Sequence, residues 1–196
     1  MHRGLTDETS MKEFLFGKAE PYYDPFLLKD MERAARRIQK AREAGEKITV
    51  FGDYDVDGIT ASSLLYLYLA ENGADVQTYI PRRQGEGYGL NNEAIALLQR
   101  QGVTLIVTVD CGITAVSEAE YARSLGIDVV ITDHHECKSD LPKACAVVDP
   151  HRCDCTYPFP HLAGVGVALK LVLALGGSGR QTELLEDCLL YTSRCV

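Results

Sequence analysis

No hydrophobic run in this sequence of 196 residues is long enough to cross a membrane as a helix. The opening stretch, MHRGLTDETS, also lacks the apolar middle of a signal peptide. Seven cysteines are present, but an odd number without the spacing of a secreted disulfide framework predicts reduced thiols. These absences predict a cytoplasmic protein that does not contact a membrane.

Positive charge is scarce as well, since 20 Lys and Arg residues against 28 Asp and Glu residues give a formal net charge of −8. This balance argues against a generally basic nucleic-acid-binding protein. It does not exclude a nucleic-acid substrate, because acidic residues that surround cations change the local potential. Five acidic residues are candidates for such a role: Asp53, Asp55, Asp57, Asp110 and Asp133.

Apolar strands alternate with helices along the chain, without an internal repeat. The predicted strands are 48–52, 76–80, 105–109, 129–131 and 144–148. The predicted helices are 6–17, 27–44, 59–72, 91–101, 115–125, 162–175 and 182–190. Alternation of this kind is typical of a mainly parallel sheet covered by helices on both faces. The sequence therefore predicts a three-layer α/β domain at 27–187, preceded by an irregular or helical leader at 1–26 and followed by a tail at 188–196.

Three carboxylates follow the first predicted strand directly. Asp53, Asp55 and Asp57 alternate with other residues before Gly58, where the chain turns into a helix. In an open α/β sheet, ligands bind at the carboxyl ends of the strands. Three acidic side chains so close together repel one another, and a divalent cation would relieve that repulsion. A solvated acidic turn is the alternative, because Asp and Gly are also ordinary turn residues.

Two more predicted strands end in similar chemistry. The strand at 105–109 is followed by Asp110, and the strand at 129–131 is followed closely by Asp133, His134 and His135. Because the carboxyl ends of parallel strands lie on one edge of a sheet, these side chains should converge with the first acidic cluster. Carboxylate oxygens with one or two imidazole nitrogens favour Mn²⁺ or Mg²⁺ over Zn²⁺ or Fe. The sequence therefore predicts a metal site at this edge.

Motifs on these strand ends carry a family resemblance. They are GDYDVDG at 52–58, VDCG at 109–112 and DHH at 133–135, flanked by DPFLLKDMERAARRI at 24–38, PRRQGEGYGLN at 81–91 and YPFPHLAGVGVALKL at 157–171. In this order they resemble the DHH phosphoesterase superfamily. The flanking stretches further resemble its RecJ family of single-strand-specific 5′ to 3′ DNA exonucleases, which act in DNA repair and recombination. The resemblance runs from about residue 21 to residue 186.

The resemblance implies hydrolysis of a phosphodiester with two divalent cations, Mn²⁺ or Mg²⁺. The metal ligands that it implies are Asp53, Asp55, Asp110 and His134. His135 would lie near the scissile phosphate. Asp57 and Asp133 would orient the ligands and the loop that carries them.

Substrate contacts are predicted at two places. Arg82 or Arg83 would bind a phosphate, and Tyr88 would stack along the path of the strand. The alternative for these residues is a flexible surface loop. Gly164 and Gly166 open a predicted helix and resemble a backbone cradle for an anion, although close helix packing requires small residues too.

The carboxyl-terminal end departs from the family pattern. Where a further strand with a metal-binding Asp is expected, the chain instead continues as CLLYTSRCV. Asp149 is the nearest substitute for that ligand. The family's second domain and its oligonucleotide-binding fold are also missing. We therefore expect a monomeric amino-terminal catalytic half of a longer protein, whose partners are single-stranded DNA and the missing domains, with impaired activity alone.

Two other functions stay open. One is a DHH phosphoesterase of short oligonucleotides, cyclic dinucleotides or pyrophosphate, against which the stretches at 24–38 and 157–171 argue. The other is a non-catalytic scaffold in replication or repair. A scaffold would be expected to lose the acidic and histidine positions, and Asp53, Asp110 and His134 are all present.

Overall fold

A computed structural model describes residues 7–16, 22–82 and 89–177 of the chain. Its centre is a five-stranded parallel sheet with the strand order β2-β1-β3-β4-β5. The strands are β1 (Lys47–Gly52), β2 (Val76–Tyr79), β3 (Val103–Val109), β4 (Asp128–Thr132) and β5 (Ala146–Val148). The predicted α/β fold with a parallel sheet is confirmed.

Helices cover both faces of this sheet. They are α1 (Glu8–Phe16), α2 (Met31–Glu43), α3 (Val56–Glu71), α4 (Asn92–Arg100), α5 (Val116–Ser124) and α6 (Gly164–Ala174), with a 3-10 turn at Pro25–Leu27. One hydrophobic core joins the sheet to α2, α3 and α6, and the other joins it to α4 and α5. Side chains alternate between the two cores along each strand, because successive residues of a strand point to opposite faces. Val50 and Val107 enter the first core, whereas Phe51 and Ile106 enter the second.

Two of the described helices begin three or four residues from the predicted start, and the others begin within two residues of it. Helix α2 begins at Met31 rather than at 27, because Asp24 caps the preceding 3-10 turn and Asp30 adopts a left-handed conformation with φ of 63°. Helix α3 begins at Val56 rather than at 59, because the side chain of Asp55 accepts the backbone N–H of Gly58 at 2.9 Å as an N-cap. The earlier start places Asp57 in the first turn of α3. The helix predicted at 182–190 lies outside the described residues.

The segment before α2 is held against α6 by a buried lysine. Nζ of Lys170 donates to the carbonyl oxygen of Tyr23 at 2.7 Å and lies over the rings of Tyr22 and Tyr157. The ring of Tyr23 in turn packs edge to face on Tyr157. This contact holds the segment before α2 against α6, the helix beside the acidic edge of the sheet.

None of the helices in the described ranges is long and apolar enough to cross a membrane.

Candidate metal centre

The register of the sheet brings three acidic strand ends together. Gly52 pairs with Val109, and Val109 pairs with Thr132. The next residue on each of these strands is an aspartate, so Asp53, Asp110 and Asp133 lie side by side at the carboxyl edge. All three are at most 2% exposed. The predicted convergence of the strand ends is therefore present in the fold.

Metal-ligating atoms gather around Asp110. Asp53, Asp55 and Asp110 offer oxygen atoms within 4.8 Å of one another, and Asp110, His134 and His135 form a second group of the same size. Asp110 belongs to both groups, so its carboxylate is within reach of both sets of possible ligand atoms. The four residues that the sequence suggested as ligands meet here, and His135, which the sequence assigned to the phosphate, joins them.

Two buried carboxylate oxygens at the centre accept no hydrogen bond from a backbone N–H of the described residues. They are Oδ1 of Asp53, and Oδ1 of Asp110, which lies 3.0 Å from Nε2 of His134. Burial raises the pKa of Asp110 to about 6, and the nearby charge of Asp57 adds to the increase. Burial also raises the pKa of Asp53. Buried polar atoms normally have partners, and oxygen atoms without a donor are suitable ligands for a hard divalent cation. The residues present therefore fit Mn²⁺ or Mg²⁺.

The ring of His134 reaches the same centre. Its Nε2 lies 3.0 Å from Oδ1 of Asp110 and 3.7 Å from Oδ2 of Asp57. The contact with Asp110 raises the pKa of His134. A metal ion and a proton would compete for this nitrogen, because histidine binds metals only as neutral imidazole.

Asp133, unlike Asp110, accepts hydrogen bonds from several backbone N–H groups. Its Oδ2 accepts the N–H of Ile113 at 2.9 Å, and its Oδ1 lies within 3.2 Å of the N–H of His134, the N–H of His135 and Nδ1 of His135. Burial alone would raise the pKa of Asp133, but the hydrogen bonds from His135 and the backbone outweigh it and lower the pKa. The same contact raises the pKa of His135 to about 9. Asp133 therefore orients both histidines and is saturated with protein donors.

Asp57 binds the amino terminus of α6. Its two carboxylate oxygens accept the N–H groups of Gly164 and Val165 at 2.8 and 2.7 Å. A carboxylate is stabilised there by the helix dipole. The sequence suggested that Gly164 and Gly166 form a cradle for a phosphate, whereas in this structure the N–H of Gly164 already holds an anion of the protein. This contact joins residues 107 positions apart in the sequence, so no local sequence pattern predicts it.

The two glycines of α6 have different surroundings. A Cβ atom at Gly164 would lie 2.6 Å from Cβ of Asp110. A Cβ atom at Gly166 would meet the side chain of Leu162 at 3.3 Å. Gly164 therefore allows α6 to approach the shared ligand, whereas Gly166 packs against an aliphatic side chain, which is the alternative that its small size suggested.

We expect Gly164→Ala to displace Asp110 and to weaken Mn²⁺ binding. Overpacking of this kind costs about 1–3 kcal/mol of stability. The measurement is the Mn²⁺-dependent increase in melting temperature, compared with that of Gly166→Ala as the matched control in the same helix. Equal Mn²⁺ responses of the two variants would contradict the role assigned to Gly164.

A further buried carboxylate lies at the end of β5. Asp149 is 0% exposed, its Oδ1 accepts the N–H of His151 at 2.7 Å, and its Oδ2 has no hydrogen-bond partner. Burial raises the pKa of Asp149 to about 7. It belongs to neither group of ligand atoms found among the described residues. As a substitute for the missing ligand it therefore lacks geometric support.

The predicted substrate contacts after β2 are described only in part. Arg82 is exposed just beyond the carboxyl end of that strand. Arg83 and Tyr88 lie outside the described residues, so their predicted contacts with a phosphate and a base stay predictions.

Metal binding to this centre should strengthen as the pH rises. Asp110, with a pKa of about 6, and His134, with a raised pKa, must both lose protons before they bind a cation. We expect the Mn²⁺ affinity to rise at least about 10-fold between pH 6 and pH 8. Isothermal titration with Mn²⁺ at both pH values measures this increase. An affinity independent of pH in this range would show that neither group is a ligand.

The chain is similar to a known family and to known proteins along most of its length. Residues 47–192 match the model of the DHH family, N-terminal domain. The chain is 49% identical over 175 residues to the single-stranded-DNA-specific exonuclease RecJ of Bacillus subtilis, an alignment that covers 89% of this chain and 22% of that protein. It is 42% identical over 149 residues to RecJ of Escherichia coli, which covers 76% of this chain and 26% of that protein. The chain thus spans about a quarter of the length of these relatives.

Solved structures show the same similarity. A crystal structure of exonuclease RecJ bound to manganese superimposes with a TM-score of 0.72 at 36% identity, over 81% of this chain and 40% of that one. RecJ of Thermus thermophilus in complex with Mn²⁺ superimposes with a TM-score of 0.66 at 32% identity, over 80% of this chain and 23% of that one. The chain therefore shares its fold with two RecJ structures that contain manganese.

Proposed function

Because the chain belongs to the DHH family, we propose that it binds two divalent cations and hydrolyses the phosphodiester bonds of single-stranded DNA from the 5′ end. The observation that carries this proposal is the buried carboxylate of Asp110, whose Oδ1 accepts from no backbone N–H of the described residues and which belongs to both groups of ligand residues. The names of the relatives from Bacillus subtilis and Escherichia coli support single-stranded DNA as the substrate. The manganese in the similar crystal structures supports the choice of metal.

Each side chain of the centre has a distinct task. Asp53, Asp55, Asp110 and His134 would hold the cations, which when bound supply hydroxide at neutral pH and neutralise charge on the reacting oxygens. Asp133 fixes the ring of His135 through Nδ1, so that this ring is directed toward the phosphate. A pKa of about 9 favours a cationic His135 at neutral pH, so we assign this ring to the anionic substrate rather than to a metal ion, although it lies in the second group of ligand atoms. Asp57 locks α6 against the centre and keeps Gly164 beside Asp110.

The wider setting of this activity is part of the same proposal. We assign residues 27–187 to the catalytic domain and place the protein, as a monomer, in the cytoplasm, where it would take part in DNA repair and recombination. The five described cysteines are unpaired, which suits a reducing compartment.

The proposal is tested with single-stranded DNA labelled at its 5′ end. We expect Mn²⁺-dependent release of short products from single strands, little release from duplex DNA, and none in EDTA. Dinucleotides serve as the competing substrate, and Asp110→Asn serves as the inactive control. Hydrolysis of dinucleotides but not of longer strands would assign the chain to small substrates instead. Equal rates for the wild type and Asp110→Asn would refute metal-dependent catalysis at this centre.

A further inference from the structure

Two exposed aromatic rings lie immediately before α6 and are not used by the chemistry proposed above. Phe159 is 47% exposed, and His161 is exposed as well. Their rings pack edge to face, with centroids 5.9 Å apart and an angle of 86° between the planes. A single exposed phenylalanine is common on protein surfaces. Two rings in contact at the border of a candidate catalytic centre are a more specific feature.

The backbone that carries these rings is restricted. Pro158 and Pro160 flank Phe159, and proline fixes φ near −65°. Tyr157, on the inner side of the same stretch, is 6% exposed and packs edge to face with Tyr23 at 5.9 Å. The backbone that carries the exposed pair is therefore held in place by the packing of Tyr157 and restricted by the two prolines. Rigid aromatic groups lose little conformational entropy when a ligand binds to them.

The pair also lies close to the metal centre. His161 precedes Gly164 by three residues, so their Cα atoms are at most about 11 Å apart even in a fully extended chain. Gly164 in turn donates its N–H to Asp57 at 2.8 Å and abuts the side chain of Asp110. Phe159 lies two residues further along, within about 18 Å of Gly164 by the same limit. A strand with a phosphate bound by cations at Asp110 would therefore have its first few bases within reach of Phe159 and His161.

We propose that Phe159 and His161 form a stacking site for a base of the DNA strand at the metal centre. The proposal rests on the function proposed above and specifies how the strand is gripped. Every base has an aromatic face, so stacking tolerates any sequence, as an exonuclease requires. An edge-to-face pair uses one face of one ring only, which leaves ring faces for a base. Stacking also needs no basic surface, which agrees with the net charge of −8.

The direct test is binding of a single strand that carries 2-aminopurine at one of its first few positions, with Ca²⁺ in place of Mn²⁺. We expect the full chain to quench the fluorescence, Phe159→Ala to weaken binding about 5-fold to 100-fold, and Phe159→Trp to preserve it. Phe26→Ala is the matched control, because Phe26 is 52% exposed and lies on the 3-10 turn before α2. Equal binding by the wild type and Phe159→Ala would overturn the proposal.

A second measurement locates the stacked base. An abasic nucleotide is placed at successive positions of the single strand. The wild type should bind the strand more weakly when the abasic nucleotide is at one particular position. Phe159→Ala should show no further loss of affinity when the abasic nucleotide is at that position. Independent losses from the two changes would refute a contact between that base and the ring. A Phe159→Ala variant that binds DNA normally but changes its elution in gel filtration would assign the rings to a protein interface, and would overturn the proposal.

The two proposals fail in different ways. If the wild type cleaves single strands and Phe159→Ala cleaves them with an unchanged KM, only the stacking site is wrong. If the wild type binds strands through Phe159 without cleaving them, only the catalytic proposal is wrong. If the wild type binds no single-stranded DNA, both are wrong.

Discussion

Replacing Asp110 with Asn should make the metal-free protein more stable and at the same time remove its metal-dependent activity. In the absence of a cation, the Asp110 carboxylate is a buried charge close to other acids, and its contact with Nε2 of His134 does not offset the cost of burial. A pKa of about 6, against an ordinary value of 3.8, means that ionisation of Asp110 favours unfolding. At pH 7 and above, removal of this charge should raise the free energy of unfolding by about 3 kcal/mol at most.

The sign of this effect follows from proton binding. Between pH 4 and pH 6 the folded metal-free protein binds more protons at Asp110 than the unfolded chain, so its stability falls as the pH rises through this range. Asp110→Asn should lack this decrease. Thermal melts in EDTA between pH 4 and pH 8 measure it. A variant that melts below the wild type at pH 8 would show that the carboxylate stabilises the fold by itself.

The loss of activity should be large, because Asp110 is shared by the two groups of ligand atoms. Loss of a group that only supports a metal ligand typically costs about 10-fold to 100-fold in affinity or activity, so loss of the shared ligand should cost at least about 100-fold. Asp149→Asn is the matched control, because Asp149 is equally buried, has a raised pKa of about 7, and lies outside both groups. It should stabilise the metal-free protein without lowering the Mn²⁺ response. A parallel loss of Mn²⁺ binding in both variants would place Asp149 at the centre too.

The position of the centre was predictable from the sequence for a simple reason. Apolar strands that lead directly into acids, as β1 leads into Asp53 and β3 into Asp110, can pair in parallel only with those acids on one edge. This inference needs only the direction of the strands. It needs neither their register nor any contact between distant residues. The buried strands also carry few polar residues inside, so their boundaries are clear in the sequence.

What the sequence did not reveal depends on contacts between distant residues. The bond from Gly164 to Asp57 and the approach of Gly164 to Asp110 depend on how α6 packs on the sheet. Glycine at a helix start suggests a phosphate site and close packing equally well, and only the fold decides between them. The left-handed turn at Asp30 is similar, since Arg152, 122 residues away, donates to its carboxylate at 2.9 Å.

The different roles of Asp110 and Asp133 could not be predicted from the sequence either, because both residues follow apolar strands. Asp133 accepts from the backbone N–H groups of Ile113, His134 and His135, whereas Oδ1 of Asp110 accepts from no backbone N–H of the described residues. The difference arises from the loops after the strands. In one loop the backbone turns its donors toward the carboxylate, and in the other Asp110 itself adopts a positive φ of 58°. A carboxylate that is saturated with donors is structural, and one that is left without donors is available to a cation.

Asp133→Asn should therefore have the opposite effect from Asp110→Asn and strongly destabilise the protein. An amide at this position presents N–H donors to backbone N–H groups that now donate to carboxylate oxygens. A buried donor that is left without an acceptor typically costs about 1–3 kcal/mol. Urea unfolding of the two isosteric variants in EDTA measures both effects under one condition. Destabilisation by Asp110→Asn and Asp133→Asn alike would show that the assignment of tasks from hydrogen-bond donors is wrong.

The pH profile of Asp133→Asn identifies the pair that is lost. In the wild type, the pKa of His135 is raised to about 9, so its contribution to stability is complete below about pH 6.5 and disappears as the pH rises through 9. The lowered pKa of Asp133 makes its own contribution complete above its ordinary value of 3.8 and lost in stronger acid. The variant should lose the decrease in stability between about pH 6.5 and pH 9, because His135 no longer faces a carboxylate there. If that decrease persists unchanged in Asp133→Asn, the charge that holds the ring of His135 comes from another residue, and Asp133 does not orient the histidine that we propose to face the substrate.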